Sequence, residues 1–307
     1  MTYIIAQAKV LKLDRIVNCS ILVKDNRIDY ISTNMKRLRL MRVNVSNFLL
    51  TPGHVMIDFA FPQHQTFQQT KEYFRSKYLA KGCTTILAIT HIQYERELPR
   101  KLNQLKHLLI NSPIDYYVGV KIPLTTLTPS FIRACKRNKV PVVLIEIENE
   151  SDLIQVPWGW IAESFFSYSL PLIPLWSSKV HSNRLKNTVE MWKNLMKENQ
   201  IPTIPLCPKE NTPLSLDVLK KIGIYPAKGD IRIGGEVDYN LYDLNEISYT
   251  VDQRPLVDYH CHMPKITMHK GKFVKISEQI YFHPGFGDEC TVKVPGHFAS
   301  SFDTNEI

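Results

Sequence analysis

The feature that most constrains the fold is a central block in which short apolar runs alternate with helical patterns. The apolar runs cover residues 83–89, 116–122 and 140–147, and helical patterns cover residues 65–80, 95–110, 129–137 and 185–200. Strands that alternate with amphipathic helices are typical of parallel strands joined by helical crossovers. The middle of the chain is therefore predicted to be an α/β domain with a parallel sheet or barrel.

Both ends of the chain predict β structure instead. The first 50 residues contain short apolar or alternating runs, and Asp25-Asn26 between two of them is a tight-turn signal, because Asn tolerates positive φ. Strand patterns return from about residue 230. Each end is too short to bury a core alone. We therefore expect residues 1–52 and 220–307 to form one β-sandwich domain, and residues 53–219 to form the α/β domain.

Composition points to an ordinary globular protein. Of 307 residues, 44% are hydrophobic and 22% are charged, which is typical of folded domains. No apolar run approaches the roughly 20 residues that cross a bilayer, and the N-terminus lacks the basic and apolar regions of a signal peptide. The six cysteines are scattered without a Cys-x-x-Cys pair, which favours reduced thiols. These features predict a cytoplasmic protein with no membrane segment.

The net charge of +9 can favour anionic partners. The densest basic run is residues 36–42, Lys-Arg-Leu-Arg-Leu-Met-Arg. Its alternation of leucine and arginine predicts a half-exposed strand with a solvated face. The run has no interleaved aromatic residues, so nucleic-acid binding is not expected from it.

Five stretches carry a family resemblance through their order and spacing. They are VKDNRIDYI (23–31), LLTPGHVMIDFAF (49–61), AKGCTTIL (80–87), IYPAKGDIRIGGEVDYNLYD (224–243) and HKGKFV (269–274). Together they resemble the amidohydrolase superfamily, in its dihydroorotase, hydantoinase and allantoinase branch. The resemblance implies a TIM-like barrel joined to a β-sandwich built from both chain ends. The stretch 150–214 is short for the last four βα units of that family, since a complete barrel usually needs roughly 200 residues or more. We therefore expect a truncated or modified barrel.

The same resemblance implies a degenerate metal site. The family reads Pro-Gly-x-x-Asp-x-His-x-His on its first barrel strand, and from Pro52-Gly53 the two histidine positions are Asp58 and Ala60. Family chemistry uses metal ions, usually zinc, which lower the pKa of a bound water to about 7. One carboxylate stands where two imidazoles are expected. No metal is therefore expected, and Asp58 and Glu146 are the weak candidate ligands.

Four further candidates come from the same comparison. Lys121 matches the bridging carboxylated lysine of the family, or is an ordinary lysine at a strand end. Glu146 falls on the histidine of the family's V-H-A-E strand, and Glu148 falls on its Glu. These two are either an inward-pointing pair or a strand terminus that faces water. His181 is the histidine in the region that should supply the last metal ligand. His260-Cys261-His262 is interpreted as an exposed loop rather than a structural metal site.

The leading hypothesis is a degenerate amidohydrolase-like protein, a pseudoenzyme without the usual binuclear metal chemistry. Its role would be binding, scaffolding or regulation, with a protein partner or a second copy of the chain. The alternative is a metal-dependent hydrolase that cleaves a C–N bond of a cyclic amide or ureide. That enzyme would hold zinc or another divalent metal on Asp58 and Glu146, with Lys121 or His181. Nucleic-acid association through the basic charge is a third hypothesis.

Overall fold

The computed structural model describes residues 1–12, 15–63, 65–177, 182–249, 255–256, 259 and 262–297. Within these ranges there are a nine-stranded sheet, a five-stranded sheet and a short two-stranded ladder. The first sheet is mainly antiparallel, and the second is entirely parallel and curled. The chain therefore has the architecture expected from the sequence, a truncated TIM-like barrel plus a β-sandwich.

The nine-stranded sheet combines the two ends of the chain. Its strands are β1 (Thr2–Lys12), β2 (Arg15–Lys24), β3 (Arg27–Ser32), β4 (Arg42–Asn44), β5 (Phe48–Pro52), β11 (Tyr239–Asp243), β14 (Ile266–His269), β15 (Lys272–Ile276) and β16 (Gln279–Ile280). The order is β16-β15-β14-β11-β5-β1-β2-β3, with β4 also paired to β1. Leu50 of β5 lies opposite Leu241 of β11. This pairing confirms that the N-terminal and C-terminal segments share one sheet.

The hairpin between β2 and β3 shows how local sequence sets this sheet. Asp25 and Asn26 have φ values of 51° and 60°. Two successive positive φ values are what a tight type I′ hairpin turn requires. The predicted turn is confirmed, and it brings Lys24 opposite Arg27.

The parallel sheet follows chain order. Its strands are β6 (His54–Asp58), β7 (Cys83–His91), β8 (Asp115–Pro123), β9 (Val143–Ile147) and β10 (Leu172–Trp176), in the order β10-β9-β8-β7-β6. Consecutive parallel strands with helical crossovers form the first part of a (β/α) barrel. The remaining ladder pairs β12 (Ser248–Tyr249) with β13 (Pro255–Leu256).

Helices occupy the four predicted positions, and two further helices, at Trp158–Ser164 and Leu216–Ile222, were not predicted. The helices are α1 (Phe67–Lys77), α2 (Leu98–Leu108), α3 (Pro129–Arg137), α4 (Trp158–Ser164), α5 (Ser182–Glu198) and α6 (Leu216–Ile222), with 3₁₀ turns at Leu79–Lys81, Glu95–Glu97, Leu124–Thr126 and Glu150–Gln155. Thr66 and Thr128 begin α1 and α3, because each side chain accepts a hydrogen bond from an otherwise unpaired backbone N–H of the first turn.

The two faces of the parallel sheet bury different cores. The convex face packs against the helices through Met56, Ile86, Val118 and Ile145. The concave face carries Val55, Ile57, Leu87, Leu144 and Ile173, which pack against Leu219 and Ile222 of α6. The interior of the half-barrel is therefore filled by apolar side chains.

One returning segment, residues 202–214, contacts both edges of the half-barrel. Thr203 pairs in parallel with Leu172 of β10, and Pro213 pairs antiparallel with Met56 of β6. The Leu214 N–H donates to the Val55 carbonyl at 2.8 Å. The segment thus stands where further strands of a complete barrel would be.

The basic run differs from its sequence-based interpretation. Residues 36–41 form a loop, and the strand β4 begins only at Arg42. The Arg42 guanidinium donates to the carbonyls of Met35 and Leu38. These bonds tie the end of the loop to its start, so the predicted strand is wrong for residues 36–41.

The division of the chain into residues 1–52 plus 220–307 and residues 53–219 stays a prediction. The strands of the nine-stranded sheet lie within the first set. However, α6 and Val292 pack on the concave face of the parallel sheet.

Cys19, Cys83, Cys135, Cys207 and Cys290 are free thiols. In the described part of the chain, none of the helices has the length and apolarity to cross a membrane.

Candidate functional site

Three polar side chains meet at the carboxyl ends of neighbouring parallel strands. His91 ends β7, Lys121 lies near the end of β8, and Glu146 lies near the end of β9. The Lys121 Nζ is 2.8 Å from one Glu146 carboxylate oxygen, and the His91 Nε2 is 3.3 Å from the other. We call these three the mouth residues. The carboxyl ends of barrel strands are where enzymes of this architecture carry their sites.

The register of the sheet explains why the mouth residues meet. In the parallel ladder of β7 and β8, His91 lies directly opposite Lys121. On the next strand, Glu146 lies opposite Pro123, one step beyond Ile122. Because parallel strands end at one edge of a sheet, polar residues at their ends come together there.

Charge pairing fixes the state of Glu146. Burial alone raises the pKa of this carboxyl group, but the hydrogen bond and positive charge of Lys121, with His91, outweigh burial and lower the pKa below its usual value. Glu146 is therefore a carboxylate that already has two partners. The group is a satisfied ion pair at the rim, with 39% of the Glu146 side chain exposed.

A cavity of about 280 Å³ adjoins the mouth residues. Its polar lining comes from Gln63, His91, Lys101, Gln104 and Lys121, and its apolar lining includes phenylalanine and leucine side chains. A few convergent polar groups on an apolar wall are typical of a small-molecule site. Two lysines and two amide side chains favour a small ligand with carboxylate or amide oxygens.

Asp58 lies elsewhere, in a buried group with helix α1. Its side chain is 0% exposed and its carboxylate lies 3.6 Å from the Lys77 Nζ. It accepts hydrogen bonds from the Tyr73 hydroxyl at 2.8 Å and from the Ala60 N–H at 3.1 Å. Lys77 also lies 3.6 Å from Glu210 of the returning segment. Among the described residues, none of the contacts of Asp58 reaches Lys121 or Glu146.

The structure places Asp58 on the convex face of β6, whereas its alignment with a metal ligand of the family would put it in the barrel interior. Val55 and Ile57 belong to the concave core, and Met56, two residues before Asp58, belongs to the helix-facing core. All five residues of β6 are buried. A strand that is buried on both faces gives no alternation from which to read its phase, so the sequence could not assign the face.

Of the remaining site candidates, Glu148 does not join the mouth residues. Glu148 is exposed one residue beyond the end of β9, apart from the pairing that Glu146 makes. His181 lies outside the described residues, and so do His260 and Cys261.

The mouth residues do not fit a catalytic zinc ion. Such a site takes three protein ligands and leaves a fourth position open. Here His91 and Glu146 supply two donors, and the ammonium of Lys121 already binds one oxygen of Glu146. In the part of the chain that the structure describes, three potential metal donors converge at Asp115, Asp238 and His269.

That second group lies at the other end of β8 and joins the two sheets. Asp115 begins β8, Asp238 precedes β11, and His269 ends β14. The Lys228 ammonium contacts both carboxylates, lying 2.9 Å from the Asp238 Oδ2. We call these residues, with Lys270, the interdomain ion cluster. The Lys228 ammonium therefore already neutralises the two carboxylates of this donor set.

His91 is the mouth residue that sequence reasoning missed. A usable signal was present, because His91 continues the alternation of Leu87 and Ile89 at the end of an apolar strand. Its position opposite Lys121 depends on the strand register, which the sequence does not state.

Comparison with solved structures shows that the chain has a fold similar to that of hydantoinases. The chain is similar to dihydropyrimidinase from Brevibacillus agri, with a TM-score of 0.59 and 12% identity over 96% of this chain and 99% of that chain. It is also similar to L-hydantoinase from Arthrobacter aurescens, with a TM-score of 0.57 and 13% identity over 95% of this chain and 100% of that chain. D-hydantoinase from a Bacillus sp. gives a TM-score of 0.61 and 11% identity over 95% of this chain and 100% of that chain. No protein-family model and no curated protein sequence matches the chain.

Proposed function

This chain has the fold of the hydantoinases and dihydropyrimidinases of the amidohydrolase superfamily, and we propose that it uses that fold to bind a ligand rather than to cleave one. The ligand is a small cyclic amide or a related carboxylate, held in the cavity beside the mouth residues. In this proposal the protein is a pseudoenzyme with respect to metal-dependent hydrolysis. A cytoplasmic location and a protein partner or second copy are part of the same proposal.

The observation that carries the proposal is the pairing of Glu146 with Lys121 and His91. Metal-dependent hydrolysis needs donors that are free to hold a metal and a group that takes the proton of the attacking water. At this mouth the carboxylate is committed to a lysine at 2.8 Å and a histidine at 3.3 Å. What remains available is Lys101, with Gln63 and Gln104, and these groups bind polar oxygens without chemistry.

The filled interior supports the same proposal. Ile204, Leu214 and α6 occupy the concave side of the sheet, with Ile57 and Leu144. The floor of the mouth is therefore apolar and close-packed. A ligand that enters from the rim can reach the mouth residues, and below them it meets a mainly apolar core.

The alternative, a metal-dependent hydrolase of cyclic amides, is favoured by the fold alone. The structural relatives include enzymes named dihydropyrimidinase and hydantoinase. Fold and chemistry are separable, because function depends on the site.

A paired assay of binding and turnover tests the proposal. Purified protein is assayed for hydrolysis of hydantoin and dihydrouracil with zinc, manganese or cobalt added, and its metal content is measured by elemental analysis. We expect no turnover and less than one tightly bound transition metal per chain. Thermal shift and calorimetry with the same amides and with the matching ureido acids measure binding.

Variants locate the binding. Lys101→Gln should weaken ligand binding, whereas Lys193→Gln, at an exposed position on α5, should leave it unchanged. Metal-dependent turnover that disappears in Glu146→Gln would overturn the pseudoenzyme proposal. If Lys193→Gln weakens binding as much as Lys101→Gln does, the ligand does not bind in the mouth cavity.

A further inference from the structure

The basic loop of residues 35–43 is a second surface that the mouth cavity does not explain. It leaves β3, turns beside β1 and enters β4. Met35 is buried and anchors its start, and the Met41 carbonyl accepts a hydrogen bond from the Ile4 N–H at its end. With the bonds from the Arg42 guanidinium to two loop carbonyls, the loop has a defined shape without burying its tip.

The tip exposes large apolar side chains. Leu38 is 41% exposed, Leu40 is 37% exposed and Met41 is 53% exposed. Tyr30, 52% exposed, lines a surface cavity with Leu38 and Arg37. Single exposed apolar residues are common, but a contiguous group of them marks an interaction surface.

The charged residues of the loop all have the same sign. Lys36, Arg37, Arg39 and Arg42 are all exposed. The sequence contains no aspartate or glutamate between Asp29 and Asp58. The surface therefore attracts anions, and no neighbouring carboxylate along this stretch neutralises it.

We propose that this loop docks on an anionic lipid bilayer, with Leu38, Leu40 and Met41 entering the headgroup region. Stable membrane association takes two signals, apolar insertion and a basic patch, and the loop supplies both within seven residues, 36–42. A bilayer accepts alternating apolar and cationic side chains without a matching cavity. Arginine stems also lie along apolar surface while their charged ends stay at the phosphates. The net charge of +9 favours approach to the same surface.

Vesicle sedimentation of the full chain tests the proposal. The probes are large vesicles of phosphatidylcholine alone and of phosphatidylcholine with about one-third phosphatidylserine. We expect sedimentation with the anionic vesicles, reversed by raised salt. Arg37→Glu with Arg39→Glu should lower the partition coefficient at least about tenfold, and Leu38→Ser with Met41→Ser should lower it about tenfold.

Matched controls use equal changes elsewhere on the surface. Arg133→Glu with Arg137→Glu reverses two exposed charges on α3, and Ile154→Ser with Phe166→Ser changes two apolar residues that are each 85% exposed. These variants should keep most of the binding. Wild-type protein that stays in the supernatant with anionic vesicles overturns the proposal, and so does an equal loss in the control variants. A loop variant that changes the oligomeric state in ultracentrifugation but not sedimentation assigns the loop to a protein contact instead.

Discussion

At the residue scale, replacing Asp58 tests whether this carboxylate, which the resemblance aligns with a metal ligand, has a structural role. It is buried against Lys77, which is 20% exposed, and accepts the Tyr73 hydroxyl. Removing one partner of a buried ion pair leaves the other uncompensated. We expect Asp58→Ala to lower the free energy of unfolding by about 3 kcal/mol, measured by denaturant titration. Asp29→Ala, at an exposed position, is the control, and an equal, small effect of both would contradict a structural role.

Gly119 on β8 makes a second residue-scale prediction. A Cβ at this position would lie 2.6 Å from the Ile89 Cδ1 and 2.9 Å from the Val142 Cγ1. Gly119→Ala should therefore overpack the concave core and cost about 1–3 kcal/mol of unfolding free energy. Gly159→Ala in α4, where a Cβ meets nothing within 4 Å, should instead stabilise by up to about 1 kcal/mol. Thermal and denaturant unfolding of the two variants should move in opposite directions.

Only part of the candidate site could be predicted from the sequence, because the strand register decides which side chains meet. Lys121 and Glu146 were chosen because the family resemblance aligned them with site residues, and the structure brings these two side chains together. The direction of Asp58 could not be assigned, because β6 is buried on both faces. His91 needed the ladder of β7 and β8, which pairs it with Lys121.

At the element scale, the interdomain ion cluster makes stability depend on pH. Burial alone lowers the pKa of His269, but the Asp115 carboxylate, 3.6 Å from its Nε2, and the hydrogen bond with Asp238 outweigh burial and raise the pKa above 6.5. The stabilisation from His269 is therefore complete below pH 6.5 and is lost as the pH rises through the raised pKa. For Asp115 and Asp238, burial alone raises the pKa, but the contacts with His269 and the charge of Lys228 lower it below 3.8. Their stabilisation is complete above pH 3.8 and is lost as the pH falls through the lowered pKa values.

Comparison of the wild type with His269→Gln isolates the contribution of His269 to the pH dependence of stability. The difference in free energy of unfolding should be largest below pH 6.5 and should shrink at alkaline pH. Denaturant titrations between about pH 5 and pH 9 measure it, since Asp115 and Asp238 stay ionised over that range. A difference that is constant across this range would show that His269 contributes packing alone.

Lys228 is the cation of the same cluster, and its removal should be costly. Its side chain is 6% exposed and contacts Asp115, Asp238 and Glu236. Lys228→Met leaves these carboxylates without their central charge, so we expect a loss of about 3–5 kcal/mol in unfolding free energy. Lys193→Met is the exposed control. Added zinc should leave the melting temperature of the wild type unchanged, and a zinc-dependent rise would instead favour a metal site at Asp115, Asp238 and His269.

Elements were predicted well where the signal is local. Pro129–Arg137 is a helix with the predicted bounds, because Thr128 caps it and its apolar residues follow helical spacing. Residues 36–41 alternate like a strand but form a loop, because Arg42 bonds back to the loop carbonyls. Such a bond between a side chain and a backbone carbonyl of the same loop leaves no periodicity in the sequence.

At the scale of the whole molecule, the composite architecture was predicted from the resemblance of both chain ends, and the sheet pairing of β5 with β11 confirms it. The shortened barrel was also expected from the length of residues 150–214. What the sequence did not indicate is how a half-barrel fills its own interior. The answer lies in tertiary contacts of Ile204, Leu214 and α6, which join residues far apart along the chain.

The returning segment has a consequence for assembly. A five-stranded parallel sheet cut out of a barrel would leave β6 and β10 with rows of unpaired backbone groups, and such rows template aggregation with other chains. Here Thr203 pairs with β10 and Pro213 pairs with β6, so a single stretch of about a dozen residues covers part of both borders. A barrel can lose several of its repeating units and stay monodisperse if what remains of the chain seals both sides of the cut.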